Sequence, residues 1–337
     1  MRAFQTTMER SLFLVYSGFR MSRYKKIMVM GGSAVAGGAL KDIASVEYAD
    51  RAFLFPLSRE CNLLSYEDTR KYLARHRPDA IIHFAAISGS IGLNMRKPAT
   101  LLRDNTLMNI HLAEAARECG ISKVLMTLSA SAYPAHAPVP LKEESLHDGY
   151  PHETNYAYDF AKRLIDPMAK AYHTEYGMTI VGIIPGAIIG PRSNFNPEGS
   201  TAVPALIRRF FENRSDNAPL VVWGDGTPIR QFTSGEDIGR IAMWCIDHCD
   251  EPTMLNVSTN EETSIREAAS IIADCLGIEP ERIVFDATKP SGTHRQSVDN
   301  TKFVKRSGFR YMSARDTIRK AAAYFMEHYP NPAKLRL

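Results

Sequence analysis

The chain has 337 residues, 45% hydrophobic and 23% charged, the make-up of an ordinary globular protein with one large core or two smaller ones. Its formal charge of +4 is mild. Part of it lies in Met1–Lys26, where Arg2, Arg10, Arg20, Arg23, Lys25 and Lys26 face only Glu9, so the near-neutral remainder argues against a nucleic-acid surface.

The N-terminal stretch is Arg-rich and nearly free of acids. Its only apolar run, Leu12–Tyr16, is too short for a signal-peptide core or a membrane span. Residues 1–25 are therefore set apart as an extension, either a transit peptide or a dispensable leader with Met21 as an alternative start. Nothing further along is expected to meet a membrane. Cys61, Cys119, Cys245, Cys249 and Cys275 lack metal-type or redox spacing, which predicts core thiols, no metal site and a reducing, cytoplasmic setting.

From Lys26 onward, β-rich and helical stretches alternate. Ile27–Met30, Ala52–Phe55, Ala80–Phe84, Lys123–Thr127 and Thr179–Ile184 are almost continuously apolar, as strands covered on both faces must be. Between them lie helical patterns near 34–44, 66–76, 103–119 and 156–175, the last containing Pro167, which should kink it. This alternation predicts an α/β fold with a Rossmann-type doubly wound parallel sheet.

After Ile184 the regularity breaks. Residues 185–202, rich in Gly, Pro, Asn and Ser, read as a long loop over a ligand site. A helix near 203–213, a strand at 219–223 and elements from 262 to 328 form a second region, while 234–257 return to the first sheet. The expected division is a dinucleotide-binding domain over 26–185 plus 232–258, and a smaller α/β substrate domain over 186–231 plus 259–330.

The first strand runs into Gly31-Gly-Ser33-Ala34-Val35-Ala-Gly37, a Gly-rich turn opening a helix. Such a turn lets the backbone approach a pyrophosphate seated on the helix N-terminus. NAD enzymes place an acid at the end of the second strand for the ribose 2′-hydroxyl, whereas a 2′-phosphate needs positive charge and hydroxyls. Here stand Ser58 and Arg59, followed by the discordant Glu60, and NADP(H) is the expected cofactor. Asn62, Leu63, Ala85, Ala86 and Pro185 complete the expected cofactor contacts.

Tyr158-Asp-Phe-Ala-Lys162 puts a phenol and an amine one helical turn apart. A tyrosine's ordinary pKa near 10 is too high for ready proton exchange at neutrality, and a nearby ammonium favours the phenolate. Ser129, at the end of the fourth strand, can polarise a carbonyl oxygen while Tyr158 donates the proton. Ser129, Tyr158 and Lys162 with the Gly turn predict hydride transfer.

At this point the chain resembles the GDP-L-fucose synthase family, extended short-chain dehydrogenases/reductases that act as 3,5-epimerase-4-reductases. The likeness runs over nearly the whole length from Lys26. It rests on Ile82-His-Phe-Ala-Ala86, Tyr133-Pro134, Tyr158–Lys162, Ile189-Gly-Pro-Arg-Ser-Asn-Phe195, Val203-Pro-Ala-Leu206, Val222-Trp-Gly-Asp-Gly-Thr-Pro-Ile-Arg-Gln-Phe232, Thr263–Ala269 and Phe285–Gly292. It implies an NADPH-dependent homodimer reducing a GDP-bound 4-keto sugar. Asn194, Leu206, Trp223 and Arg230 would line the GDP-sugar site, with Arg230 facing the diphosphate through its rigid fork of donors. Arg295 stands in the family's basic pair, whose second member is Gln296 here.

The resemblance also marks a departure. The family's epimerase cysteine corresponds to Ser131 and its histidine to Thr201, and Ala187 stands where the family loop carries an Asn. A thiol supplies a useful base, whereas an unassisted hydroxyl does not. The reading is therefore a C4 reductase without the epimerase step. The alternatives are a bifunctional synthase, an NAD-retaining 4-epimerase or C4 dehydrogenase, and a catalytically silent dinucleotide-sensing scaffold.

Overall fold

The structure is a computed structural model describing residues 23–196, 199–289, 293–331 and 335. Most of the N-terminal extension and the end of the Phe285–Gly292 motif lie outside the described residues.

The first half alternates strand and helix in chain order: β1 (Lys26–Met30), α1 (Val35–Glu47), β2 (Ala52–Leu54), α2 (Tyr66–His76), β3 (Ala80–His83), α3 (Ile91–Arg96), α4 (Pro98–Glu118), β4 (Lys123–Thr127), α5 (Tyr156–Arg163), α6 (Ile165–Tyr176) and β5 (Thr179–Ile184). Then come β6 (Ala187–Ile189), α7 (Ala202–Glu212), β7 (Leu220–Trp223), β8 (Ile229–Arg230), β9 (Phe232–Ser234), α8 (Gly235–His248) and β10 (Thr253–Asn256). The chain closes with β11 (Thr263–Ser264), α9 (Ile265–Leu276), β12 (Ile283–Asp286), β13 (Arg295–Gln296), α10 (Thr301–Ser307) and α11 (Ala314–His328).

Six strands form one sheet in the order β10-β5-β4-β3-β1-β2, every pair parallel. Alternate residues feed two separate cores. Met28, Met30, Ile81, Val124, Met126 and Ile180 pack on one face, and Ile27, Val29, Ile82, Leu125, Val181 and Ile183 on the other. Burial on both faces is why these strands read as unbroken apolar runs. The order reverses between β1 and β3, and such a switch point opens a crevice at the carboxyl ends of the strands.

A third core gathers Phe195, Leu206, Phe210, Val222, Ile272, Ile318 and Phe325 from α7, α9, α11 and the short strands beside them. Those strands pair as β11-β8-β13, β12-β7 and β6-β9.

Pro167 does more than kink a helix. Two helices, α5 and α6, flank a break at Leu164, because proline lacks the N–H and crowds the carbonyl four residues earlier. Helix α4 starts at Pro98, five residues ahead of the expected 103, with the proline at its first position, where its missing N–H is harmless.

Candidate active site

The crevice is built first from backbone. Gly31 closes β1 at φ +86°, and a Cβ there would stand 2.7 Å from the Ala85 nitrogen, so only glycine lets these two strand ends approach. A Cβ on Gly37 would collide with the Gly31 carbonyl, which fixes α1 against the turn. Ala34 caps α1 without a side-chain hydrogen bond, and no acid stands in the first turn. The first N–H groups of α1 are thus left for an anion, and the cradle fits a dinucleotide pyrophosphate. Ser33 is exposed beside it, and Val35 opens the helix.

Beyond β2, Ser58 and Arg59 are exposed. The Glu60 carboxylate accepts the Leu57 N–H at 2.7 Å, so the acid that argued for NAD is tied into its own turn. Asn62 braces the same loop by accepting the Leu64 N–H at 3.1 Å. The Leu63 side chain is buried in the sheet core, and its carbonyl lies 2.9 Å from His111 Nδ1. Ala85 and Ala86 line the loop after β3, and the Pro185 carbonyl, after β5, accepts the Ala130 N–H at 3.0 Å.

Helix α5 is fastened to the end of β4 and the turn after it by the two residues Lys162 and Asp159. The Lys162 ammonium donates to the Thr127 carbonyl at 2.8 Å, and Ser131 Oγ donates to Asp159 at 2.5 Å. Ser129 Oγ lies 2.8 Å from Ser131 Oγ and accepts the Ser131 N–H at 3.3 Å. Lys162 Nζ sits 5.9 Å from the centre of the Tyr158 ring. Ser129, Tyr158 and Lys162 thus share one corner of the crevice.

The electrostatics differ from the simple expectation. Burial pushes the Tyr158 hydroxyl well above its ordinary value, with the Asp159 charge adding to the effect. Burial also brings Lys162 down to about 8, so desolvation dominates both groups. Behind them His83 is held neutral, lowered to about 3 by burial and then by Lys162. It shares a 3.2 Å hydrogen bond with the Asn109 side chain, whose amide donates to the Ala161 carbonyl.

The second region carries the residues expected to meet the sugar nucleotide. Trp223 ends β7 with 58% of its surface exposed, which rules out core packing, and the Arg209 guanidinium stands over its ring at 5.9 Å. Arg230 is partly buried, donates to the Ile229 carbonyl at 2.7 Å, and has no acid within salt-bridge range among the described residues. Three expected liners are otherwise engaged. Leu206 is buried in the third core because it faces the apolar side of α7. Arg295 is neutralised by Glu262 at 2.7 Å. Asn194 folds its own loop, donating to the Gly199 carbonyl at 3.2 Å and accepting the Asn196 N–H at 3.0 Å. Thr201 is exposed at the head of α7 and does not cap it.

Sequence reasoning missed two groups. Arg192, in the Gly-Pro-Arg loop, pairs with Asp42 of α1 and donates to the Gly38 carbonyl at 2.9 Å. Asp159, inside the Tyr–Lys motif, is fully buried. An acid between two apolar-facing helical positions was the available signal for it. Among the described residues no three His, Cys, Asp or Glu gather as a metal site, and no helix is long and apolar enough to cross a membrane.

A doubly wound sheet with a glycine cradle at its switch point and a Ser–Tyr–Lys corner defines a short-chain dehydrogenase/reductase. The chain belongs to the NAD dependent epimerase/dehydratase family, whose profile matches residues 29–258. Within that family it is similar to the GDP-L-fucose synthase of Sinorhizobium fredii, 32% identical over 281 residues, covering 83% of this chain and 88% of that one. The GDP-L-fucose synthase of Dictyostelium discoideum is 28% identical over 314 residues, 92% of this chain and 98% of its own. A crystal structure of a GDP-L-fucose synthetase from Naegleria fowleri bound to NADP superposes with a TM-score of 0.86 at 28% identity, covering 95% of this chain and 97% of that one.

Proposed function

We propose that the chain is an NADPH-dependent C4 reductase of a GDP-bound 4-keto sugar, a 6-deoxyhexose or a heptose, that has lost the epimerase step. The observation that carries this is the pairing of an assembled Ser129–Tyr158–Lys162 corner with hydroxyl residues at both positions where the family keeps its acid–base pair. NADPH, when bound, supplies the hydride. The chain's own residues would do the rest. The α1 N-terminus and the Gly31–Gly37 cradle hold the pyrophosphate, and Arg59 with Ser58 holds the 2′-phosphate. Ser129 polarises the C4 carbonyl and Tyr158 delivers the proton to its oxygen. Arg230 faces the sugar-nucleotide diphosphate and Trp223 offers an exposed aromatic face beside it.

A homodimer is part of this reading. Leu102 and Ile110 are exposed apolar residues on α4, which packs along α5, and light scattering should give twice the chain mass.

One observation favours a second reading, the bifunctional synthase. Ser131 is not the unassisted hydroxyl that the sequence implied, because Asp159 stands 2.5 Å from it. Turnover of GDP-4-keto-6-deoxymannose with NADPH in heavy water separates the two. Product without deuterium at C3 and C5 is the outcome expected of the reductase. Deuterium at both carbons in a fucose product would overturn it in favour of the synthase.

A further inference from the structure

Three oxygens run from the open crevice into the protein interior. Ser129 Oγ and Ser131 Oγ are half-buried, and Asp159 is fully buried at the inner end. The separations are 2.8 Å and 2.5 Å. The other Asp159 oxygen, Oδ2, has no hydrogen-bond partner. The nearest cation, Arg163, does not fill that place. Its Nε and Nη2 donate to the Ala132 carbonyl and its Nη1 to the Gly149 carbonyl.

Counting protons along this line decides what Ser129 can do. A substrate carbonyl at the outer end makes three gaps to fill: carbonyl to Ser129, Ser129 to Ser131, and Ser131 to Asp159. With Asp159 ionised, the two serines bring only two protons. Ser131 must give its own to the carboxylate, and Ser129 then points at Ser131 or at the substrate, but not at both. With Asp159 protonated there are three protons for three gaps. Asp159 donates to Ser131, Ser131 donates to Ser129, and the Ser129 proton is free for the carbonyl. The Ser129 oxygen then accepts from both the Ser131 N–H and the Ser131 hydroxyl, which uses its two lone pairs.

We infer that Asp159 is a positioning residue which, in its protonated form and through Ser131, turns the Ser129 hydroxyl toward the substrate carbonyl. This rests on the reductase reading above and deepens it. No bond to substrate is made or broken by Asp159, and its proton stays within the line. Burial raises its carboxyl to about 7, against the opposing effects of the Ser131 hydrogen bond and the Arg163 charge, so both forms are populated near neutrality.

The groups facing Asp159 are few. On its own helix they are Arg163 and Tyr158, while Lys162 turns to the Thr127 carbonyl and to His83 on β3. The 130–132 turn contributes Ser131. Helix α4 meets α5 with the neutral Asn109, and its Arg103 and Arg117 are paired with Asp104 and Glu114. On α6, Asp166 is paired with His147 and Lys170.

The test is the pH profile of kcat/KM for NADPH oxidation with GDP-4-keto-6-deoxymannose, read beside the NMR titration of the Asp159 carboxyl carbon. Wild type should lose about tenfold between pH 6 and pH 8 as a single proton leaves. Asp159→Asn, whose amide donates to Ser131 at every pH, should lose that limb, and Asp159→Ala should be poorer than Asp159→Asn at pH 6 by about tenfold. A limb unchanged in Asp159→Asn overturns the inference. The titration needs no substrate. A carboxyl midpoint near 7 that moves in Ser131→Ala supports the line of hydrogen bonds even if turnover fails, in which case the substrate reading falls alone. A midpoint in the ordinary carboxylate range overturns the inference whatever the turnover.

Discussion

Arg192 and Asp42 stand 150 residues apart in the chain, yet the Arg192 guanidinium spans the Asp42 carboxylate, with Nη2 2.9 Å from Oδ1. The contact fastens the loop after β6 to the helix that carries the glycine cradle. A partly exposed, two-pronged pair of this kind is worth about 1 kcal/mol. Arg192→Ala is expected to lower stability by about that much, read as a shift in the urea midpoint. It should also weaken NADP binding severalfold by calorimetry, as the loop loses its anchor to α1.

Tyr158→Phe should cut turnover by about a thousandfold, the scale of a lost general acid. NADP affinity should be nearly unchanged, as measured by quenching or calorimetry. Activity that survives this substitution would remove both the proton donor and the mechanism built on it.

Lys162 is lowered from 10.5 to about 8 by burial. The unfolded chain therefore holds the extra proton across that interval, and stability contributed at this position rises as the pH rises through it. Below about pH 8 the buried ammonium carries its full desolvation cost. Lys162→Met should accordingly be inactive yet more stable at pH 7, by about 2 kcal/mol after allowing for the lost bond to Thr127. The advantage should shrink between pH 8 and pH 10.5. Thermal unfolding followed at several pH values checks the sign.

Arg295 is held by Glu262, whereas Gln296 lies in register beside Arg230. Glu262→Gln should release the Arg295 charge and lower KM for the GDP-sugar severalfold, with little effect on NADPH. Arg230→Gln should raise the same KM by at least tenfold, because a partly buried, charged donor fork cannot be replaced by an amide. Initial-rate kinetics with each substrate varied separately distinguish the two.

The sheet was readable from the chain because burial on both faces writes itself as apolar runs, and the helices between them as a 3.6-residue period. The second region was not. Strands β8, β11 and β13 have two residues each, too few to show any period, and they exist through pairing with distant segments. Leu206 and Arg295 matched a motif by position, but what each touches depends on α7 packing and on Glu262, neither of which adjacency reveals. Asp159 was hidden for the same reason. Its partner Ser131 lies 28 residues earlier, and only the docking of α5 against β4 brings the two together.

The strand order also dictates when the molecule can become whole. The sheet's last member is β10, at Thr253–Asn256, and it lies against β5, which ends at Ile184. During synthesis β5 therefore waits with an open edge while the ribosome adds the intervening α7, α8 and short strands. An exposed apolar strand edge is a template for wrong pairing. The growing chain is thus most vulnerable to aggregation in that interval, and a truncation anywhere between β5 and β10 would leave it there permanently.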